Sequence, residues 1–337
     1  MKIGGVGMRK IEIDNVIRHF ADDYKAKVRQ QLPDVTIKLQ ELATFVADNN
    51  PWTDKDAITE YIGLMIADYP DLLTLEPKNW QTYIRKYNKV LVREPNMLIT
   101  EVNYRPKAKG GFYKGKFYER ILVCLGYENA RLVLGPIHQM MGLKICVYCN
   151  VNPTIAVEGD VMYQMDHFMP QSKYPFLGTC FYNLQPSCGI CNGHKGTKPC
   201  DFGLYVNMEQ HKELNSFRFV PKINSMAVPY PICEDIFLKG KAKRITKESK
   251  GHDEMFHIYN MYVDKKDKVS RLYANGYKMT ESVVEAFSQA YNIAPTKTDV
   301  LAYMADEVSL DQNDIHKEPL TKLKQDTILQ MQEGGVL

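Results

Sequence analysis

The sequence predicts an α+β protein that is mostly helical, with a small metal-clipped unit of short strands set between helical flanks. Three observations carry that expectation. Apolar residues recur at helical spacing through the first hundred residues and again from Asp253 onward. Two Cys-x-x-Cys pairs, Cys146–Cys149 and Cys188–Cys191, stand thirty-eight residues apart, enough chain to insert a hairpin. Between Phe217 and Leu238 apolar and polar residues alternate around prolines 221, 229 and 231, the pattern of short strands or an irregular flap.

From the N-terminus, Ile13, Ile17, Phe20, Tyr24 and Val28 step by 4, 3, 4 and 4, which sets them on one helix face. Pro33 interrupts, and Val35, Leu39, Leu42 and Val46 resume the period until Asn50-Pro51 ends it. Thr53, followed by Asp56, is the expected N-cap of a helix running to about Ala67, and Trp80 to Leu91 gives a fourth helix. Residues 92–116 carry Pro95, Pro106 and a Lys/Gly cluster and read as loop or short strands. Residues 117–143 return to helix, with breaks expected near Gly126 and Gly135-Pro136. Val283, Ala286, Phe287 and Ala290 mark late helices, and the polar final residues are expected to fray. The organisation expected is a helical domain over 1–95, a basic loop with connecting helices over 96–144, and the cysteine-bounded unit over 145–212. A flap with a second basic run follows over 213–250, then a helical region over 251–337.

With 337 residues the chain can bury a sizeable core, and a net charge of +3 does not by itself announce a polyanion partner. The distribution says more. Arg105, Lys107, Lys109, Lys114, Lys116 and Arg120 face one acid, Glu119, and Lys239, Lys241, Lys243, Arg244, Lys247 and Lys250 face one acid, Glu248. Charge runs are usually solvated surface. These two flank the cysteine unit, and the first includes Gly110, Gly111, Phe112 and Tyr113, so Lys107, Lys109, Lys114 and Lys116 are candidate phosphate contacts. The start lacks an apolar signal core, and no stretch approaches the roughly 20 apolar residues that span a bilayer. The expectation is a cytoplasmic protein without membrane contact, and in a reducing compartment paired Cys-x-x-Cys units read as metal ligands. Cys124, Cys180, Cys200 and Cys233 have no ligand spacing and read as small buried hydrophobes.

Four thiolates from two turns suit a tetrahedral structural zinc. Asn150 and Asn192 follow the second cysteine of each pair, where the backbone often turns left-handed, a conformation asparagine tolerates. Between and after the pairs lie Asp166-His167-Phe168-Met169-Pro170, Asn183-Leu184, and Asn192-Gly193-His194-Lys195. An acid–imidazole dyad and two asparagines beside a clipped loop are the parts for metal-assisted attack on a phosphodiester.

The ordered set Cys-x-x-Cys, Asp-His-x-x-Pro, Asn-Leu and Cys-x-x-Cys-Asn-x-x-Lys resembles the HNH endonucleases of the ββα-metal superfamily in their four-cysteine form, over roughly residues 145–200. The nuclease domain of RNA-guided CRISPR effectors shares that core. The resemblance implies a β-hairpin followed by a helix around one divalent ion, Mg2+ or Mn2+, distinct from the structural Zn2+. It implies His167 as general base, Asp166 and Asn192 as oxygen ligands of the ion, Asn183 as the residue that ties the loop and orients His167, and Lys195 as a phosphate contact. His194 is an addition to the simplest family pattern and reads as a spectator. The activity implied is cleavage of nucleic acid, DNA foremost, and stand-alone proteins of this kind often act in restriction or antiviral defence, sometimes with a separate ATPase. The alternative is a zinc-stabilised nucleic-acid-binding module without cleavage.

Overall fold

The computed structural model describes residues 8–157, 159–207, 214, 217–224, 231–239, 251–305 and 308–337. The second basic run, apart from Lys239, and His211 lie outside the described residues. The fold is α+β and mostly helical, and among the described residues every sheet is two-stranded.

Strand β1 (Ile11–Glu12) leads into α1 (Asn15–Gln31), α2 (Val35–Asp48), α3 (Lys55–Asp68) and α4 (Trp80–Leu91). Asp14 caps α1, its carboxylate accepting the Ile17 N–H at 2.9 Å. Tyr24 and Val28 of the expected stripe are buried. The cap of α3 is Asp54 rather than Thr53: its carboxylate accepts the Ala57 N–H at 3.1 Å, which puts the helix start one residue later. The α4 helix has the predicted bounds and buries Trp80, Ile84, Tyr87 and Val90.

Strands β2 (Glu101–Pro106) and β3 (Phe112–Lys116) form an antiparallel hairpin that runs directly into α5 (Phe117–Cys124) and α6 (Tyr127–Met140). Gly126, at φ 70°, supplies the left-handed break between those helices. The break expected at Gly135-Pro136 does not occur, because Pro136 lies inside α6. Gly135 there is pressed against Val161, where a Cβ would meet the Val161 side chain at 2.4 Å. Tight packing on Val161 thus supports the helix beside a residue that lacks its N–H.

Short strands β4 (Ala156–Val157) and β5 (Asp160–Val161) precede the central hairpin of β6 (Gln164–His167) and β7 (Leu184–Ser187), which ends in α7 (Gly189–Lys195). Strand β8 (Tyr205–Val206) pairs in parallel with β1, tying the N-terminus behind this unit. Strands β9 (Arg218–Asn224) and β10 (Ile232–Lys239) form a regular hairpin with one bulge, between Cys233 and Asp235. The remaining helices are α8 (His252–Phe256), α9 (Ile258–Tyr262), α10 (Lys266–Tyr277), α11 (Glu281–Tyr291), α12 (Lys297–Met304) and α13 (Thr321–Glu333).

The C-terminal residues do not fray. Helix α13 packs on β9 and α10 and buries Leu323, Ile328 and Met331 together with the ion pair Lys322–Asp326. Asp326 also accepts the Phe219 N–H at 2.9 Å, so the polar residues that suggested a loose tail are partnered inside the fold. Buried residues from Met8 to Met331 belong to one continuous hydrophobic cluster. Among the described residues no helix is long and apolar enough to cross a membrane.

Candidate functional site

Cys146, Cys149, Cys188 and Cys191 are all buried, and their sulfurs lie within 4.8 Å of one another. A zinc tetrahedron with Zn–S near 2.3 Å needs sulfurs about 3.8 Å apart, so the four are placed to hold a metal such as zinc. The first turn closes through the Asn150 N–H to Cys146 O at 2.9 Å, with Asn150 left-handed at φ 53°. Asn192 is not left-handed; it lies within α7, and Gly196 takes the positive φ at the helix end. The second turn needs no such residue because Cys188 caps α7, its sulfur accepting the Cys191 N–H at 3.5 Å. The Asn152 amide donates to Cys188 Sγ at 3.3 Å, a donor suited to a thiolate. Hydrogen bonds from Cys146 and the other thiols pull Cys188 down, and contacts with the same neighbours push Cys191 up. Four bare thiols cannot all ionise at this spacing, and a divalent ion removes that conflict.

The chain between the pairs makes a strand–strand–helix unit. Asp166 pairs with Gln185 and His167 with Leu184, so the dyad ends the first strand of the hairpin, and α7 packs back against that strand. Nε2 of His167 lies 2.9 Å from the Gly178 carbonyl. A carbonyl only accepts, so Nε2 carries the hydrogen and Nδ1 keeps the lone pair. Burial pushes the imidazole down to about 4, partly offset by the Gly178 bond and Asp166, which leaves the ring neutral near pH 7. The Tyr127 ring of α6 lies against it, centroids 5.1 Å apart.

The loop 168–183 sets this geometry. Asn183 is fully buried and bridges it, accepting the Met169 N–H at 2.7 Å and donating to Met169 O at 3.2 Å and Leu177 O at 3.0 Å. The N-terminal helices hold the same loop from outside. Tyr24 donates to Thr179 O at 2.8 Å, and Tyr87 stacks on Phe176 with centroids 4.2 Å apart. Leu122 of α5 sits so close to Gly178 that a Cβ there would lie 2.1 Å from its Cδ2. Gly178, Tyr127 and Leu122 were not singled out from the sequence. Each acts through contacts distant along the chain, and no local motif marks them.

Asp166 and Lys195 depart most from expectation. Lys195 is 0% exposed, its ammonium 3.1 Å from Asp166 Oδ1 and 2.6 Å from His167 O. In this arrangement it is the buried counter-ion of Asp166. Asp166 is 4% exposed, and its other oxygen accepts the hydroxyl of Tyr148. Burial and the nearby carboxylate push that phenol well up, so it stays a donor. Gln185 donates to Tyr148 Oη at 2.5 Å and accepts the Leu204 N–H at 2.5 Å, which completes a closed network. Asn192 is half-buried, and among the described residues its amide has no partner. The His194 ring meets that of His257, centroids 4.8 Å apart. Lys107, Lys109, Lys114 and Lys116 are exposed on the β2–β3 hairpin, outside this unit, and none pairs with a carboxylate among the described residues.

No protein-family model matches the chain, and no solved structure does. The Septu protein PtuB of Bacillus thuringiensis is 44% identical over 52 residues, 15% of this chain and 19% of that protein. The match thus spans about a fifth of the curated relative's length.

Proposed function

We propose that the protein is a metal-dependent endonuclease of the HNH class that hydrolyses phosphodiester bonds of DNA. The observation that carries this reading is His167 at the end of a strand, its Nε2 fixed on the Gly178 carbonyl and its Nδ1 lone pair free, beside Asp166 and facing a helix that bears Asn192. His167 Nδ1 takes the proton of a water that attacks phosphorus, and the bond from phosphorus to the leaving 3′ oxygen breaks. The neutral ring suits that task, and the Gly178 bond keeps it in one tautomer. Asp166 and Asn192 supply hard oxygen donors on facing elements, a small set of the kind magnesium accepts, with one condition: Lys195 must give up Oδ1 of Asp166. The ion would neutralise charge that grows on the phosphate oxygens. The four cysteines would hold zinc as a separate, structural ion.

A binding module without cleavage is the second reading, favoured by the commitment of both Asp166 oxygens to Lys195 and Tyr148. The likeness to a Septu protein supports a place in a defence system, and with it a partner protein; that this partner is an ATPase is our proposal. The deciding experiment incubates the protein with plasmid, linear duplex, single-stranded DNA and RNA, each with magnesium, manganese or EDTA. His167→Ala should lose on the order of 10²- to 10⁴-fold in cleavage rate while it keeps its zinc, its fold and its affinity for nucleic acid. Asn192→Ala should recover part of its loss at high manganese. Cleavage by His167→Ala at the parent rate would refute the assignment.

A further inference from the structure

The β2–β3 hairpin leans on α2 through Phe112 and Phe45 and turns its basic tip outward. Residues 105–114 are all exposed, while its root is fixed by buried Val102 and Phe117. Asn103 is clamped at that root, accepting from Asn50 Nδ2 at 3.0 Å, donating its N–H to Asn50 Oδ1 at 2.7 Å and its amide to Asn49 O at 2.9 Å. The arm carries Arg105, Lys107, Lys109, Lys114 and Lys116 with no acid between them, and among the described residues none of the five has a carboxylate partner. Five cations on one ribbon with no carboxylate partner raise the local positive potential and favour a polyanion there.

The aromatic residues decide which polyanion. Tyr113 is exposed, but the Arg105 guanidinium lies 4.2 Å from its ring centroid and the Lys107 ammonium 5.3 Å. Phe112 is engaged edge-on with Phe45, and Tyr104 carries Arg120 at 4.6 Å, an approach that Gly115 leaves open. Proteins that hold single strands offer bare ring faces to unstacked bases. Here the rings are occupied by cations and serve to order them. The tip is narrow, with Gly110 and Gly111 at φ 89° and 76° and the Lys107 N–H closing on Gly111 O at 2.9 Å. A two-stranded ribbon of this form fits the roughly 12 Å major groove of B-form DNA, with lysines on both edges reaching the flanking phosphates. The major groove of duplex RNA is too deep and narrow to admit it.

We infer that the β2–β3 hairpin is a groove-inserting arm that selects B-form duplex DNA over single strands and over duplex RNA. The inference deepens the nuclease reading by naming its substrate form, and it rests on that reading only for the choice of nucleic acid as the polyanion. The arm is also joined to the candidate site. Strand β3 continues into α5, whose Leu122 abuts Gly178, the residue that fixes His167.

The test measures fluorescence anisotropy of the full chain with duplex DNA, the same sequence single-stranded, and the matching duplex RNA. Magnesium and manganese are withheld and no chelator is added, so a failure to cleave leaves the result untouched and the zinc stays in place. Duplex DNA should bind at least tenfold tighter than either competitor. Replacing Lys107, Lys109, Lys114 and Lys116 by Ala should cost at least tenfold on duplex DNA. The slope of log affinity against log salt should flatten by up to about 3.6. All four side chains are exposed, and an unchanged thermal midpoint confirms that the variant folds. Tyr113→Ala should weaken duplex binding, since Arg105 and Lys107 lose the surface that orders them. Equal affinity for single strands or duplex RNA, an unchanged salt slope, or equal competition by an acidic polypeptide would each overturn the inference.

Discussion

Lys195→Met separates two readings of the same residue. In the structure the ammonium is enclosed, bonded to Asp166 Oδ1 and His167 O, and the Asp166 carboxylate is itself 4% exposed. Methionine roughly keeps the volume and removes the charge. Breaking a buried pair from one side costs about 3–5 kcal/mol, because the remaining charge stays uncompensated. Tyr148 still donates to Oδ2, so the loss should fall near the lower end, about 3 kcal/mol. That is a large share of the roughly 5–15 kcal/mol that holds a typical domain. Urea unfolding of the zinc-loaded protein should show a lower midpoint with an unchanged slope. The double variant Asp166→Asn/Lys195→Met should recover part of the loss, with a coupling energy of about 1–3 kcal/mol. If Lys195→Met instead unfolds at the parent midpoint while its DNA affinity loses salt dependence, the ammonium is a phosphate contact and the buried-pair argument fails.

Two further outcomes follow from the same site. Purified protein should contain one zinc per chain by elemental analysis, and Cys188→Ser should lose it along with much of a contribution that reaches roughly 10 kcal/mol in small zinc modules; absence of zinc from the parent would remove that basis. Gly178→Ala should cost about 1–3 kcal/mol by overpacking against Leu122 and depress cleavage further by moving the carbonyl that fixes His167. Adding Leu122→Ala should return part of the cleavage rate, and no return would mean that Gly178 acts in another way.

What the sequence made legible was local. Helix α4 was readable because Trp80, Ile84, Tyr87 and Val90 keep one period without interruption. The thiol cluster was readable because Cys-x-x-Cys is a turn geometry as well as a spacing, and the structure brings the two turns together. Charges were the least legible. Lys195 reads as a phosphate contact, and nothing near it in sequence shows that Asp166, 29 residues earlier, faces it. In α13, Lys322 and Asp326 enter the interior as a pair, and their i,i+4 spacing is the one sign of it in the sequence. Pro136 misled because an interior proline ends a helix only when nothing else holds it.

The candidate site is held by two independent devices. The cysteine cluster ties residues 146–149 to the start of α7, and Val147 N–H bonds Pro186 O at 3.2 Å, which fixes the ends of the hairpin. It does not reach the loop 168–183. That loop takes its shape from Asn183 within and from Tyr24, Tyr87 and Leu122 outside, all three on the helices that precede the cysteines. His167 lies where the two devices meet: its backbone belongs to the hairpin and its Nε2 bond to the loop. Damage to the metal turns should therefore loosen α7 and the position of Asn192, whereas damage to the helical buttress should leave the metal bound and misdirect the imidazole. The N-terminal helices, which contain no recognisable chemistry of their own, are in this sense part of the site.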